Sequence, residues 1–300
     1  MYAITGATGN TGSVVANHLL TRGQKVRAIG RDVSRLQPLV ALGAEPFTAD
    51  LTDAARLTKA FFGAQAVYAM IPQTMTSEDY LAHQDRIVEA IAAAIENSEV
   101  KFVVALSSIG ADKTDKTGPV VGLYHLEQRL NRIPGINVLH LRPGYFMENT
   151  LAQARIIPMT GAASGPLRPD LRLPMIATRD IGAVAAEALS RLDFSGQQTR
   201  ELLGQRDISY AEVAAIIGKA IGKHGLTYVH AGDEQLRPAL IQMGMSRNVA
   251  DLILEMSAAL NSGYMRALEP RSAANTTPTS FETFVAEEFV PLYKQQSAAA

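Results

Sequence analysis

The chain has 300 residues, of which 47% are apolar and 19% charged, with a formal net charge of −1. That length buries a substantial core, as one large α/β unit or as a sheet half with a smaller lobe, and the charge balance leaves no electrostatic footprint for nucleic acid or an anionic membrane. With no cysteine, disulfides, thiolate nucleophiles, iron–sulfur clusters and cysteine zinc sites are excluded, and a reducing, cytoplasmic setting is expected.

The opening Met1, Tyr2, Ala3, Ile4, Thr5 runs straight into glycines, so no secretory leader is expected. No stretch approaches the roughly 20 apolar residues of a membrane span. Over the first 140 residues short β-like runs alternate with amphipathic stretches, the rhythm of repeated βαβ units on a parallel sheet. Strands are predicted at Met1–Thr5, Lys25–Ile29, Ala44–Thr48, Ala66–Ile71, Lys101–Leu106 and Asn137–Leu141. The clearest helix runs from about Ser77 to Asn97, where Tyr80, Ile87, Val88, Ile91 and Ile95 recur at helical spacing and Ser77 serves as N-cap. From Asn149 to Pro174 the pattern breaks into Pro, Gly, Arg and Ala and reads as a pocket-lining loop. Helical spacing returns at Asp180–Leu192, Tyr210–Ile221, Arg247–Leu260 and Phe281–Tyr293, with a strand at Leu226–His230 and a frayed tail at Ser297–Ala300.

Gly6, Ala7, Thr8, Gly9, Asn10, Thr11 and Gly12 stand directly after the first strand and directly before an amphipathic helix. Glycines there permit a tight turn, let the backbone approach a pyrophosphate, and allow the helix to pack closely on the strand. The helix opening near Thr11 then aims free N–H groups and its positive dipole end at the phosphates. This GxxGxxG spacing is a variant of the dinucleotide fingerprint, given weight by its strand-to-helix context. It predicts a Rossmann-type, doubly wound parallel sheet. No Lys-Ser or Lys-Thr follows the glycines, which disfavours a P-loop NTPase.

The second strand ends Ala28, Ile29, Gly30, Arg31, Asp32. A site selective for NAD would present a carboxylate near Gly30 to the ribose hydroxyl; Gly30 instead leaves room, and Arg31, with Arg35 one turn on, can grip a 2′-phosphate. NADP(H) is therefore expected in preference to NAD(H), with solvated surface charge as the alternative reading of both arginines. Asp50, before Leu51, can accept from the adenine amine or serve as a turn or cap residue.

Together with later segments these residues resemble the NmrA-like group of atypical short-chain dehydrogenases. The resemblance covers nearly the whole chain through GATGNTG (Gly6–Gly12), VRAIGR (Val26–Arg31), Ala49 and Asp50, LSSIGA (Leu106–Ala111), HLEQRL (His125–Leu130), LRPGYFMEN (Leu141–Asn149) and the helix from Tyr210. It implies a Rossmann half over residues 1–148, also receiving roughly 178–204, and a smaller, mostly helical substrate lobe over 149–177 and 205–300. The group includes NADPH-dependent quinone and dye reductases as well as proteins that bind the cofactor to sense redox state.

Short-chain dehydrogenases commonly take a proton from a Tyr with a Lys four residues on, beside a Ser ending the fifth strand. Here Ser107 and Ser108 end that strand and Tyr124 lies on the next helix, but Gln128 stands at the Lys position. Without an ammonium beside it the phenol is expected to serve as a weak acid only. His125 can donate near neutral pH and matches a His of the quinone reductase-like branch. Tyr124 and His125 are thus the candidate catalytic pair, with helix-to-sheet packing as the plain alternative. Glu127 matches the family pattern or is a helix-surface charge.

At the carboxyl edge of the sheet, where α/β ligands bind, Ser107, Pro143, Met70, Ile71 and Pro72 are expected against the cofactor, and Tyr145, Phe146 and Asn149 against substrate. No His-x-x-x-His or carboxylate set suggests a metal, and no GxSxG elbow suggests acyl transfer. The expected function is NADPH-dependent reduction of a small, quinone-like or aromatic acceptor by hydride transfer. The alternative is an NADP(H)-binding sensor with a protein partner, and a sugar-nucleotide epimerase ranks last for want of the Tyr and Lys pair. A homodimer is compatible with all three.

Overall fold

A computed structural model describes residues 1–298. In chain order the first elements are β1 (Tyr2–Ile4), α1 (Asn10–Thr21), β2 (Val26–Gly30), α2 (Val33–Ala41), β3 (Glu45–Thr48), α3 (Ala54–Phe61), β4 (Ala66–Ala69), α4 (Tyr80–Ser98), β5 (Phe102–Leu106), α5 (Val121–Asn131) and β6 (Asn137–Pro143). There follow β7 (Tyr145–Phe146), α6 (Gln153–Thr160), β8 (Ala163–Gly165), β9 (Arg172–Ile176), α7 (Thr178–Arg191), β10 (Gln197–Leu202), β11 (Arg206–Ser209), α8 (Tyr210–Ala220), β12 (Tyr228–His230), α9 (Asp233–Gln242) and α10 (Arg247–Asn261). α11 (Phe281–Phe284) continues through a wider turn at Val285–Phe289 into α12 (Val290–Ala298). Of the tail expected to fray, residues 299–300 lie outside the described residues.

Seven strands form one parallel sheet in the order β10-β6-β5-β4-β1-β2-β3. The chain winds outward from β1 in one direction, then restarts at β4 on its other side. This doubly wound order puts the topological switch point between β1 and β4. Side chains alternate between faces along each strand, and both faces are apolar. Tyr2 and Ile4 join Val15, Leu19, Leu36 and Leu189 under α1, α2 and α7, while Ala3 joins Leu57, Ile87, Ile91 and Leu126 under α3, α4 and α5. Strands buried on both sides are what a parallel sheet requires.

Several segments differ from the sequence reading. The long helix starts at Tyr80, capped by Asp79, whose side chain accepts from the Ala82 N–H; Ser77, the expected cap, instead accepts at its carbonyl from the Ser246 hydroxyl. The stretch 149–174 is not a loop. It holds a helical turn at Met147–Ala152, α6, β8 and the start of β9. Its apolar residues Met147, Ala154, Ile157, Ala163 and Leu173 pack a separate core with Tyr210, Val213, Phe281 and Phe289. Pieces so short carry no period, and Pro158 interrupts α6. β10 has an exposed, polar first half and α9 buries no side chain, so neither presented an apolar pattern to read.

The second core belongs to a lobe built on the β11-β9-β7 and β12-β8 sheets. Buried carboxylates fasten it. Asp180 in α7 accepts from the Thr279 N–H and hydroxyl, and Glu201 at the end of β10 accepts from the Leu268 and Glu269 N–H groups.

His140 on β6 is also buried, with Nε2 bonded to Asn131 and Nδ1 without a partner. Burial, only partly opposed by Glu127, pushes its pKa from 6.5 down to about 4. The folded state therefore holds this ring neutral, whereas the unfolded chain takes up a proton below pH 6.5. Stability is lost as pH falls from 6.5 towards 4, by about 2 kcal/mol between pH 7 and pH 5. Urea titrations of the protein and of His140→Asn at those two pH values check this, the variant losing correspondingly less.

Candidate functional site

At the switch point the end of β1 is tied to β4. The Thr5 hydroxyl donates to the Tyr68 carbonyl and accepts from the Met70 N–H. Gly6 then turns the chain with φ +58°, and a Cβ on it would stand 2.6 Å from the Met70 sulfur. A Cβ on Gly12 would lie 2.3 Å from the Gly6 carbonyl oxygen. Only glycine lets the first turn of α1 close so tightly on the loop. Gly9 is the N-cap and no side chain caps α1, so the N–H groups that open this helix are left for an anion. The cradle fits a dinucleotide pyrophosphate: its glycines let loop and helix close on each other, and the N–H groups at the helix start carry no side-chain cap. The Thr11 hydroxyl is buried and accepts from the Tyr68 hydroxyl.

Beside this loop β2 ends at Gly30, where a Cβ would meet Leu36 at 3.3 Å and Thr8 at 3.7 Å. Asp32 turns away to cap α2, accepting from the Ser34 N–H and hydroxyl, which hold its carboxyl below the usual range. Arg31 and Arg35 are exposed. Asp50 accepts from the Thr52 N–H at 2.9 Å and hydroxyl at 2.7 Å, the turn role that was one of its two readings. With Arg31 nearby, these bonds hold it ionised to lower pH than usual. Leu51 is buried behind it.

On the other side of β1, Met70, Ile71 and Pro72 leave β4, with Ile71 buried and the other two half-buried. Ser107, ending β5, is buried and donates to Glu127 Oε1 at 2.5 Å. Glu127 also takes both Nε and Nη2 of Arg142 on β6, at 2.8 and 2.5 Å. The surface reading of Glu127 is therefore corrected: at 2% exposure it is a buried carboxylate held by three donors. Pro143 follows, buried, and its carbonyl accepts from the Ile109 N–H.

Tyr124 and His125 stand elsewhere. They line a groove of about 330 Å³ between α4 and α5 with Asp85, Glu89, Gln128 and Arg129. His125 Nδ1 is 2.7 Å from Asp85 Oδ1, and the Tyr124 ring lies beside the imidazole. Leu126, Glu127 and Leu130 take the inward face of α5. On this side of α5 the side chain that reaches Ser107 is that of Glu127.

β7 sends its two aromatics to opposite sides. Phe146 packs on the core under α1 and α7, whereas Tyr145 faces the lobe core. The Tyr210 hydroxyl donates to the Tyr145 hydroxyl at 3.3 Å, and the Tyr210 ring lies 4.8 Å from that of Tyr228. Asn149 is exposed at the mouth of this cluster. Glu148 points back to α7, accepting from the Thr178 N–H and hydroxyl, and burial raises its carboxyl pKa despite those bonds. Sequence reasoning missed Arg142, Tyr210 and Tyr228. Arg142 was within reach, since a charge inside a strand buried on both faces demands a partner.

A family model described as the NmrA-like family matches residues 2–290. The NAD(P)H azoreductase of Xenophilus azovorans is 29% identical, covering 88% of this chain and 89% of that protein. Quinone oxidoreductase 2 of Escherichia coli is 30% identical over the same shares. Among solved structures, the E. coli NADPH-dependent quinone oxidoreductase bound to NADPH superposes with a TM-score of 0.76 at 24% identity, covering 100% of this chain and 99% of that one. The NADP complex of NmrA, a negative transcriptional regulator, does so with a TM-score of 0.73 at 16% identity over 100% and 97%.

Replacing Glu127 by Ala strands a guanidinium inside the protein. The variant should lose about 3–5 kcal/mol of stability, the cost of breaking a buried ion pair on one side, as read by chemical denaturation.

Proposed function

The chain belongs to the NmrA-like family, and on that premise we propose that it reduces a small, quinone-like or aromatic acceptor with NADPH by hydride transfer. It is an NAD(P)H-dependent oxidoreductase, the class its relatives' names carry. The single observation that carries the reading is the glycine cradle at the uncapped start of α1, set at the sheet's switch point. The phosphate-binding loop, residues 1–148 and 178–204 form the cofactor half, and residues 149–177 and 205–300 form the substrate lobe. Gly6, Thr8, Gly9, Asn10, Thr11 and Gly12 hold the pyrophosphate, and Met70, Ile71, Pro72, Ser107 and Pro143 border the nicotinamide. When bound, the dihydronicotinamide supplies a hydride. The protein's share is to orient the acceptor against it and to supply a proton.

NADPH is preferred because the one carboxylate next to Gly30, that of Asp32, is consumed by the α2 cap, while Arg31 and Arg35 stay exposed beside the loop. No described helix is long and apolar enough to cross a membrane. We place the protein in the cytoplasm, where NADPH and a small aromatic acceptor meet. A redox sensor is the second reading, favoured by Gln128 at the Lys position and by the outward groove that holds Tyr124.

Two measurements decide. The purified protein should oxidise NADPH with at least one of a panel of quinones, azo compounds and cationic dyes; binding without turnover on the whole panel would favour the sensor. Arg31→Glu should weaken NADPH by about tenfold or more, as 1.4 kcal/mol per decade converts the loss of a charged phosphate contact, and should leave NADH nearly unchanged. Equal losses in titration calorimetry would remove the preference for NADP.

A further inference from the structure

We infer that Tyr145 is the proton donor of this reductase: its phenolic O–H, backed by the Tyr210 O–H, faces the acceptor oxygen that gains charge. The inference rests on the function proposed above. Four other candidate donors are excluded by their bonding or place. The Ser107 hydrogen is spent on Glu127, which Arg142 also grips through two N–H bonds, so Ser107 offers only lone pairs to a ligand. That suits holding an amide N–H and not donating to an oxyanion. Tyr124 and His125 lie in the outer groove of α4 and α5, and His125 is held there by Asp85. Lys113 pairs with Asp112 and lies over the Tyr264 ring.

Tyr145 stands differently. It follows Pro143 and Gly144 at the end of β6, the strand paired with β5 through Leu106 and Leu141, so it leaves the sheet beside Ser107. Its hydroxyl oxygen accepts from Tyr210, which leaves its own hydrogen free to be given. Tyr145 is half-buried, whereas Tyr210 is buried and can reach nothing but its neighbours. Burial raises both phenols. Hydrogen bonding from Tyr210 and Asn149 pulls Tyr145 back, while the Tyr145 hydroxyl pushes Tyr210 further up. The pair is thus polarised so that the proton leaves from Tyr145.

The balance is simple. A bound dihydronicotinamide would supply the hydride from its C4–H bond and carry away the two-electron oxidation. With that hydride bonded to one quinone oxygen, the charge gathers on the other; there the Tyr145 O–H bond breaks and a new O–H bond forms, giving the hydroquinone, and the phenolate is reprotonated from water past exposed Asn149.

The test is Tyr145→Phe, which keeps the ring. With the protein saturated in NADP⁺, so that nothing turns over, 4-nitrophenolate mimics the charged oxygen and 4-nitroanisole its uncharged counterpart. The variant should bind the phenolate about tenfold more weakly, the value of one hydrogen bond to a charged group, and the anisole unchanged. In turnover, a quinone should slow by about tenfold or more, while a cationic triphenylmethane dye, which takes a hydride on carbon and no proton, should keep its rate. Equal effects on both probes, no effect on either, or no phenolate binding by the unaltered protein would overturn the inference. Should circular dichroism show Tyr145→Phe unfolded, Tyr210→Phe carries the same comparison with about a threefold loss for phenolate alone, and no loss overturns the inference. If the unaltered protein oxidises NADPH with no acceptor, the proposed function fails and takes this with it; turnover with an unshifted quinone-to-dye ratio sinks the donor alone.

Discussion

No methyl group fits between the first turn of α1 and the Gly6 carbonyl. A Cβ on Gly12 would sit 2.3 Å from that oxygen, well inside contact distance, so the helix approaches the loop as closely as backbone allows. Two further features follow. The helix axis is aimed at the sheet's switch point, and its opening N–H groups, uncapped by any side chain, become the strongest anion-seeking feature of that edge. α7 runs beside α1 under the same constraint, since a Cβ on Gly182 would meet Val14 at 2.6 Å. Glu148 caps α7 at Thr178, so of these two neighbouring helices only α1 keeps its start open for a ligand.

The sheet half was legible because its physics repeats. A strand covered on both faces reads as an apolar run, as in β1, β4 and β5, and a helix between such strands shows one stripe, so β1 to β6 could be placed to within two residues, the exposed edge strand β3 included. The glycine loop was legible because three glycines at that spacing have a steric reason. The lobe was not, because β8, β12 and β7 are two or three residues long and their apolar side chains pack on partners far along the chain. β10 failed for a different reason: at the sheet's edge half of it faces water, and Gln197–Arg200 carry no alternation.

Tyr124 and His125, expected as a catalytic pair, line the outer groove of α4 and α5. Leu126 and Leu130, four residues apart, set the buried side of α5, and that side carries Leu123 and Glu127 with it, leaving Tyr124, His125 and Gln128 outward. The spacing was in the sequence. What overrode it was the motif, which put a phenol and an imidazole near the expected serine without asking which side of the helix the leucines had already taken. Glu127 rides inward only because Arg142 meets it there, and a carboxylate that would otherwise cost several kcal/mol to bury is held by three donors.

That burial changes what the strand-end serine can do. In a site with a lysine-assisted tyrosine, an ammonium lowers the cost of forming a phenolate, and the serine is free to steady the oxygen that gains charge. Here the cation at the base of the site, Arg142, is paired with Glu127, and Ser107 is turned toward that pair. The edge is left with phenols and an amide, all neutral donors of modest acidity. Such a set gives little help to an alkoxide, whose oxygen needs a strong acid beside it. It is enough for an acceptor that delocalises the incoming charge over a ring, because the anion then forms readily and needs only to be held and protonated. On the function proposed above, the arrangement around Glu127 favours acceptors that are themselves good electron sinks.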